Sequence, residues 1–271
     1  MSSSGKKIRI KRIFDEKGVC IILPTCHHMT SKKVYKGQSD VNKTIELGIK
    51  GGATSILIGK GFNEKCADYL KPNIGVLNYI PAFTAFSTVN SIKSIATITA
   101  EEAVSSGADG LVYPADFYHD ENASDSIKIV SDYVRECEKY GLIFIVESEF
   151  PTFYSNNEEN IKKYGIEYLL IACRLCAELG VDVISTSYPG NKESFEEIVN
   201  FAKIPVLING GAETTQLDFL KMVENVYKAG AKGTLVARNI TEAPDPEKMT
   251  RAIGAIFRTG ITADEAMKIL G

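Results

Sequence analysis

Long apolar runs, a one-sided charge, disulfide spacing and a dinucleotide-binding glycine loop are all missing from this chain of 271 residues. Its longest apolar stretches are of the size of Val19 to Pro24, far short of the roughly 20 residues that a membrane-spanning helix needs. A formal net charge of −3 leaves no basic footprint for nucleic acid or for an anionic membrane surface. The six cysteines, Cys20, Cys26, Cys66, Cys137, Cys173 and Cys176, follow no framework spacing and read as reduced thiols of a cytoplasmic protein. The basic start, MSSSGKKIRIKRIF, has no apolar signal core. No G-x-G-x-x-G follows a candidate strand, which argues against an open dinucleotide-binding sheet.

What the chain does have is a recurring joint. An amphipathic helix ends at a glycine, a small or acidic residue follows, and a short β-branched run comes next. The joint appears at Gly51 to Gly59, Gly107 to Pro114, Gly141 to Ser148, Gly180 to Ser187 and Gly230 to Ala237. Glycine can take the left-handed conformation that stops a helix, and the short apolar run suits a buried strand. Eight strands are expected: Val19 to Pro24, Ser55 to Ile58, Ile74 to Leu77, Gly110 to Tyr113, Ile143 to Glu147, Val183 to Thr186, Val206 to Asn209 and Gly233 to Val236. Helices are expected at Val41 to Lys50, Ser124 to Tyr140, Asn157 to Gly180, Lys192 to Ala202, Leu217 to Ala229, Asp245 to Arg258 and Ala263 to Leu270. Gly75 to Thr99 is the least legible stretch. Uniformly apolar strands alternating with helices imply a parallel sheet covered by helices. Eight of them in a chain near the usual size of about 250 residues imply one closed (β/α)₈ barrel over residues 1–271, with a short N-terminal extension. Cys173 and Cys176 form a C-x-x-C within an apolar helical stretch, where they read as small packed hydrophobes.

In such a barrel the site lies at the C-terminal ends of the strands. After strand seven comes Asn209-Gly210-Gly211, and after strand eight Ala237-Arg238-Asn239. Glycine backbone N–H groups, a helix N-terminus and an arginine there suit phosphate; the plainer alternative is tight turns. Glu147 and Glu149 alternate at the end of strand five and are candidates for a general acid and base, or for salt bridges. Cys26 beside His27 can act as a nucleophile only if its pKa is lowered. Lys60, ending strand two, can supply an amine, contact a substrate anion or lie solvated. His27, His28 and His119, with Cys26, Asp116, Glu147 and Glu149, also offer zinc-type donors, though in no compact spacing motif.

Several blocks carry a resemblance that runs nearly end to end. ELGVDVISTSY (Glu178 to Tyr188) is similar to ELGADIVKTSY of the archaeal-type class I aldolases, the group that includes fructose-bisphosphate aldolase and 2-amino-3,7-dideoxy-D-threo-hept-6-ulosonate synthase. GKKIRIKRIF (Gly5 to Phe14), LPTCHH (Leu23 to His28), IGKG (Ile58 to Gly61), the Gly210-Gly211 pair, Ala237-Arg238-Asn239 and ADEAMKIL (Ala263 to Leu270) resemble further blocks of that family. The resemblance implies a (β/α)₈ aldolase-like lyase or transferase of sugar-phosphate metabolism, a homo-oligomer with no cofactor. It also implies a phosphate role for Gly210, Gly211, Ala237, Arg238 and Asn239. The chemical positions differ. The family's Schiff-base lysine falls on Ser185, its acid/base aspartate on Cys26, and its proton-transferring tyrosine on Glu149 or Phe150. A serine hydroxyl cannot form an iminium with a ketone. The expected catalytic set is therefore Cys26, His27, Lys60, Glu147, Glu149 and Ser185, acting on a small phosphorylated sugar or keto compound. The alternatives are a non-catalytic phosphosugar-binding protein and a metal-dependent carbon–carbon lyase.

Overall fold

A computed structural model of the chain describes residues 4–31, 33–83, 94–115, 117, 120–150 and 157–271. Eight parallel strands close into a barrel in chain order: β1 (Cys20–Pro24), β2 (Ser55–Ile58), β3 (Gly75–Tyr79), β4 (Gly110–Ala115), β5 (Ile143–Ser148), β6 (Val183–Thr186), β7 (Val206–Asn209) and β8 (Gly233–Leu235). The five glycines of the recurring joint behave unequally. Gly107, Gly141, Gly180 and Gly230 take φ between 68° and 94° or, for Gly180, 97°, whereas at the first joint Gly51 ends the helix and Gly52 takes the left-handed turn with φ 97°.

Pleating sends alternate residues of each strand to opposite faces. Ile22, Leu57, Leu77, Val112, Ile145, Val183 and Leu207 pack together inside the barrel. Their strand neighbours, among them Ile21, Ile56, Leu111, Phe144 and Ile184, pack against the helical layer. Cys173 and Cys176 are fully buried free thiols in that outer layer, on the helix Asn157–Leu179.

Two departures from the expectation shape the base and the mouth of the barrel. The N-terminal extension is a helix, Ser4–Ile13, whose Ile10 and Ile13 join the interior cluster. Its basic residues explain the acidic position in the joints. Lys6 Nζ lies 2.8 Å from Asp182 Oδ2, and Arg12 Nη1 lies 2.9 Å from Asp109 Oδ1. Asp182 also accepts the Phe144 N–H at 2.8 Å, and Asp109 that of Val76 at 3.0 Å. Each aspartate thus ties the start of a neighbouring strand to the helix that closes the base of the barrel. The other departure is around β3, which runs two residues beyond its expected end. A short antiparallel pair, Pro81–Phe83 with Ser94–Ala96, follows it before the helix Ala100–Ser105. Among the described residues no helix is long and apolar enough to cross a membrane.

Closure between β8 and β1 depends on Gly233, which has φ 144°; a Cβ there would lie 1.6 Å from the Cys20 carbonyl oxygen. Gly233→Ala should therefore cost at least about 3 kcal/mol, the upper end of ordinary overpacking. Urea unfolding measures it; a variant as stable as the parent would mean that the joint relaxes freely.

Candidate active site

Residues at the C-terminal ends of the strands enclose a cavity of about 110 Å³, far more than the roughly 10–15 Å³ that one water needs. β1 and its loop supply Pro24, Cys26 and His27; β2 supplies Leu57; β3 supplies Tyr79; β5 supplies Glu147, and the residues that follow it supply Glu149 and Phe150. Asn209, Gly210, Gly211 and Ala212 come from the end of β7, and Leu235, Ala237 and Arg238 from the end of β8.

Glu147 is the inward residue at the top of β5 and is only 9% exposed. Glu149, two residues on, borders the same cavity. Burial holds both carboxyls above the ordinary range: Glu147 is pushed up to about 8, first by desolvation and then by the negative charge of Glu149. Glu149 is raised to about 7, also by desolvation, while its bond from Asn209 and the positive charge of Arg238 pull the other way. The Tyr79 hydroxyl hydrogen-bonds Glu147, and the Asn209 amide Nδ2 donates to Glu149 Oε1. Near neutrality the pair therefore shares about one proton, and the positive charge of Arg238 acts on Glu149 in favour of its ionised form. One acid and one base stand side by side.

Ser185 is placed differently from the expectation. It pairs in register with Glu147 and with Leu207, is fully buried, and is not part of the cavity wall. Its hydroxyl donates to Asn209 Oδ1, so Ser185, Asn209 and Glu149 form one hydrogen-bonded chain. A short side chain at this position stops beneath the cavity floor. Lys60 does not enter the mouth either: its Nζ lies 3.1 Å from Glu102 Oε1, with the side chain 47% exposed. The 3-10 turn Lys60–Phe62, which begins directly after β2 and Gly59, carries it outside the cavity wall.

Cys26 is 8% exposed, and burial together with the negative charge of Glu147 pushes its thiol upward. His27 cannot lower it, since burial, Arg238 and His28 depress the imidazole to about 4 and keep it neutral. Cys26 is thus a protonated thiol rather than an activated nucleophile. His27 packs edge-on against Tyr35 at 5.3 Å, while His28 is exposed and stands apart from the cavity. Among the described residues no three His, Cys, Asp or Glu side chains gather as a metal site; His119 and Asp116 lie outside the described residues.

The two last loops form one unit. Arg238 Nη2 donates to the Gly211 carbonyl at 2.7 Å. Asn239 is buried behind the wall, donates to the carbonyls of Gly210 at 2.8 Å and Ala212 at 3.2 Å, and accepts the Thr214 N–H at 3.3 Å. It braces the loop, and Arg238 faces the cavity. Gly210 must stay small, because a Cβ there would meet the Val236 side chain at 2.9 Å.

Two residues of this arrangement were not among the expected site residues. Tyr79 lies beyond the expected end of strand three, and Asn209 is the expected last residue of strand seven. Inward alternation along β3 and β7 is the signal that picks out both.

Eight parallel strands with a polar cavity at their C-terminal mouth define a (β/α)₈ barrel whose cavity lies in the place usual for the sites of this fold. The chain belongs to the DeoC/LacD family of aldolases, whose model matches residues 20–243. It is 30% identical to the class 1 fructose-bisphosphate aldolase of Thermoproteus tenax over 95% of this chain and 97% of that protein. It is 27% identical to the 2-amino-3,7-dideoxy-D-threo-hept-6-ulosonate synthase of Halobacterium salinarum, over 100% of this chain and 98% of that one. Among solved structures, a Schiff-base-forming fructose-1,6-bisphosphate aldolase superposes with a TM-score of 0.80 at 28% identity, covering 93% of this chain and 99% of its own. An archaeal fructose-1,6-bisphosphate aldolase with its catalytic lysine bound to the carbinolamine intermediate gives 0.78 at 27% identity, covering 93% and 99%. The expected (β/α)₈ barrel and the resemblance to archaeal-type class I aldolases are both borne out.

The carboxyl pair has a consequence for stability. An unfolded glutamate titrates near about 4.3, below both folded values. Between them the folded chain holds protons that the unfolded chain has released, so stability is greatest on the acid side and falls as pH rises through the folded values. The melting temperature should drop from about pH 5 to about pH 8 and level off above that, and Glu147→Gln should flatten most of that slope. A melting temperature that climbs over this range would contradict the shared proton.

Proposed function

We propose that this protein binds a small phosphorylated carbonyl compound at the barrel mouth and makes or breaks the adjacent carbon–carbon bond by proton transfer, without a covalent lysine adduct. The observation that carries the reading is the Glu147–Glu149 pair, an acid and a base held together at the reacting end of an aldolase-family barrel. No lysine is among the described residues that line the cavity, and Ser185, in the position where the resemblance puts the family's lysine, has no amine to offer.

In the cleavage direction ionised Glu149 takes the proton of the substrate's β-hydroxyl as the carbon–carbon bond breaks. The hydroxyl-bearing carbon leaves as an aldehyde, and the bonding electrons pass into the ketone half as an enediol. Protonated Glu147 gives its proton to the carbonyl oxygen, so that no free enediolate charge develops in the buried site. Glu149 then gives its proton to carbon while Glu147 takes back the enediol hydroxyl proton, which leaves a neutral ketone and restores both carboxyls to their starting states. Tyr79 and Asn209 keep the two carboxyls oriented, and neutral His27 can share a hydrogen bond with the ligand. Arg238 and the Gly210–Gly211 backbone hold the phosphate, with Ala237 at the start of the following turn and Asn239 as the brace.

Dihydroxyacetone phosphate in D₂O tests this reading directly. The protein should exchange the carbon-bound hydroxymethyl protons faster than buffer, as followed by NMR. Glu149→Gln should slow exchange at least about 100-fold, the lower range for loss of a general base. Arg238→Ala should weaken binding at least about tenfold, as expected for one charged hydrogen-bond partner. Borohydride should leave the protein's mass unchanged. A reduced adduct would defeat the lysine-free mechanism, and binding without exchange would favour a non-catalytic phosphosugar-binding protein.

A further inference from the structure

The cavity is electrically lopsided. Of the described side chains that line it, Arg238 alone is cationic, and it stands on the β7–β8 side with the glycine loop. On the β3–β5 side the wall presents Glu147 and Glu149. Neither carboxylate has a lysine, arginine or histidine nitrogen within ion-pair distance among the described residues. Two polar donors that reach them are already committed, Tyr79 to Glu147 and Asn209 to Glu149. A dianionic group arriving at that side would face buried negative charge, find both of these donors engaged, and have to surrender its hydration. Hydroxyl groups meet no such obstacle, since ionised or half-protonated carboxyls accept hydrogen bonds readily.

We infer that Glu147 and Glu149 also set specificity: the site takes a polyhydroxylated phosphate monoester, uncharged at the end opposite its phosphate, and rejects bisphosphates. This rests on the phosphate reading given above and sharpens it to a substrate class. Arg238 and the Gly210–Gly211 loop receive the one phosphate. The carboxyl pair receives hydroxyl donors at the other end, where a second phosphate would be repelled. The small cavity volume of about 110 Å³ favours short compounds of this class.

Fructose 1-phosphate and fructose 1,6-bisphosphate differ only in the second phosphate and are the probes. Isothermal titration at pH 8 should give at least about tenfold tighter binding of the monophosphate, a ratio that corresponds to about 1.4 kcal/mol. In a Glu147→Gln/Glu149→Gln double variant the ratio should fall to within about threefold, whereas Glu149→Asp, which keeps the charge, should retain it. Circular dichroism and melting of the variants separate loss of discrimination from loss of fold. Equal or tighter binding of the bisphosphate by the unaltered protein overturns the inference. So does discrimination that survives the double variant, because the repulsion would then come from elsewhere. If neither sugar binds, the phosphate reading itself falls and this inference falls with it. That result is distinct from binding both equally, which leaves the phosphate reading intact.

Discussion

A strand in a closed barrel offers each side chain one of two destinations, and most of this molecule follows from that constraint. Because the pleat has a period of two, Ile145 and Glu147 point to the interior while Phe144 and Val146 point to the helices. The interior positions are largely apolar through the middle of the barrel, and the polar groups that reach the cavity, Tyr79, Glu147 and Asn209, stand at the C-terminal rim. Strand ends are the one place where an inward residue can be polar and still reach a ligand. The base of the barrel has no such outlet, and there the inward space is closed by the helix Ser4–Ile13, with Lys6 and Arg12 neutralising Asp182 and Asp109.

The same constraint explains how the carboxyl pair arises. Two glutamates separated by one residue must share a face for as long as the strand geometry persists, and β5 formally ends at Ser148. Glu149 nonetheless borders the cavity, secured by Asn209 from β7. Like charges so close in a buried place cannot both remain ionised without a cation between them. Tyr79, Asn209 and Arg238 each favour the charged form to a limited extent, and burial outweighs them. The result is a proton held at the mouth of the barrel without any metal ligand set or amine being required of the described residues.

Much of this was legible in the sequence, for identifiable physical reasons. The helix-ending glycines and short β-branched runs fix where strands begin, so all eight strands could be located and two helices, Lys192–Ala202 and Ala263–Leu270, were placed to the residue. Glu147 and Glu149 were recognisable from their alternation. The N-terminal helix was not, because the residues that anchor it include buried Lys6 and half-buried Arg9, and a hydrophobic pattern cannot report a contact made through ion pairs. Tyr79 was missed because the end of β3 passes straight into an antiparallel pair, Pro81–Phe83 with Ser94–Ala96, with no turn signal between them. Lys60 was expected in the mouth because it follows a strand, but position after a strand does not set direction once the chain enters a helical turn.

Depth gives Ser185 its meaning. At this position the Cα is in register with Glu147 on one side and Leu207 on the other, beneath the cavity rather than on its wall. A long side chain could rise from there into the cavity, whereas the serine hydroxyl ends at Asn209. Asn209 in turn uses its amide nitrogen on Glu149, so an amide acceptor satisfied from below leaves an amide donor for the carboxylate above. Serine is then more than an absent amine. A lysine pushed up through this point would displace Asn209 from that chain and bring a positive charge against both carboxylates, releasing the proton they share. The two arrangements, an amine from below or an acid and base at the rim, compete for the same few ångströms of barrel interior.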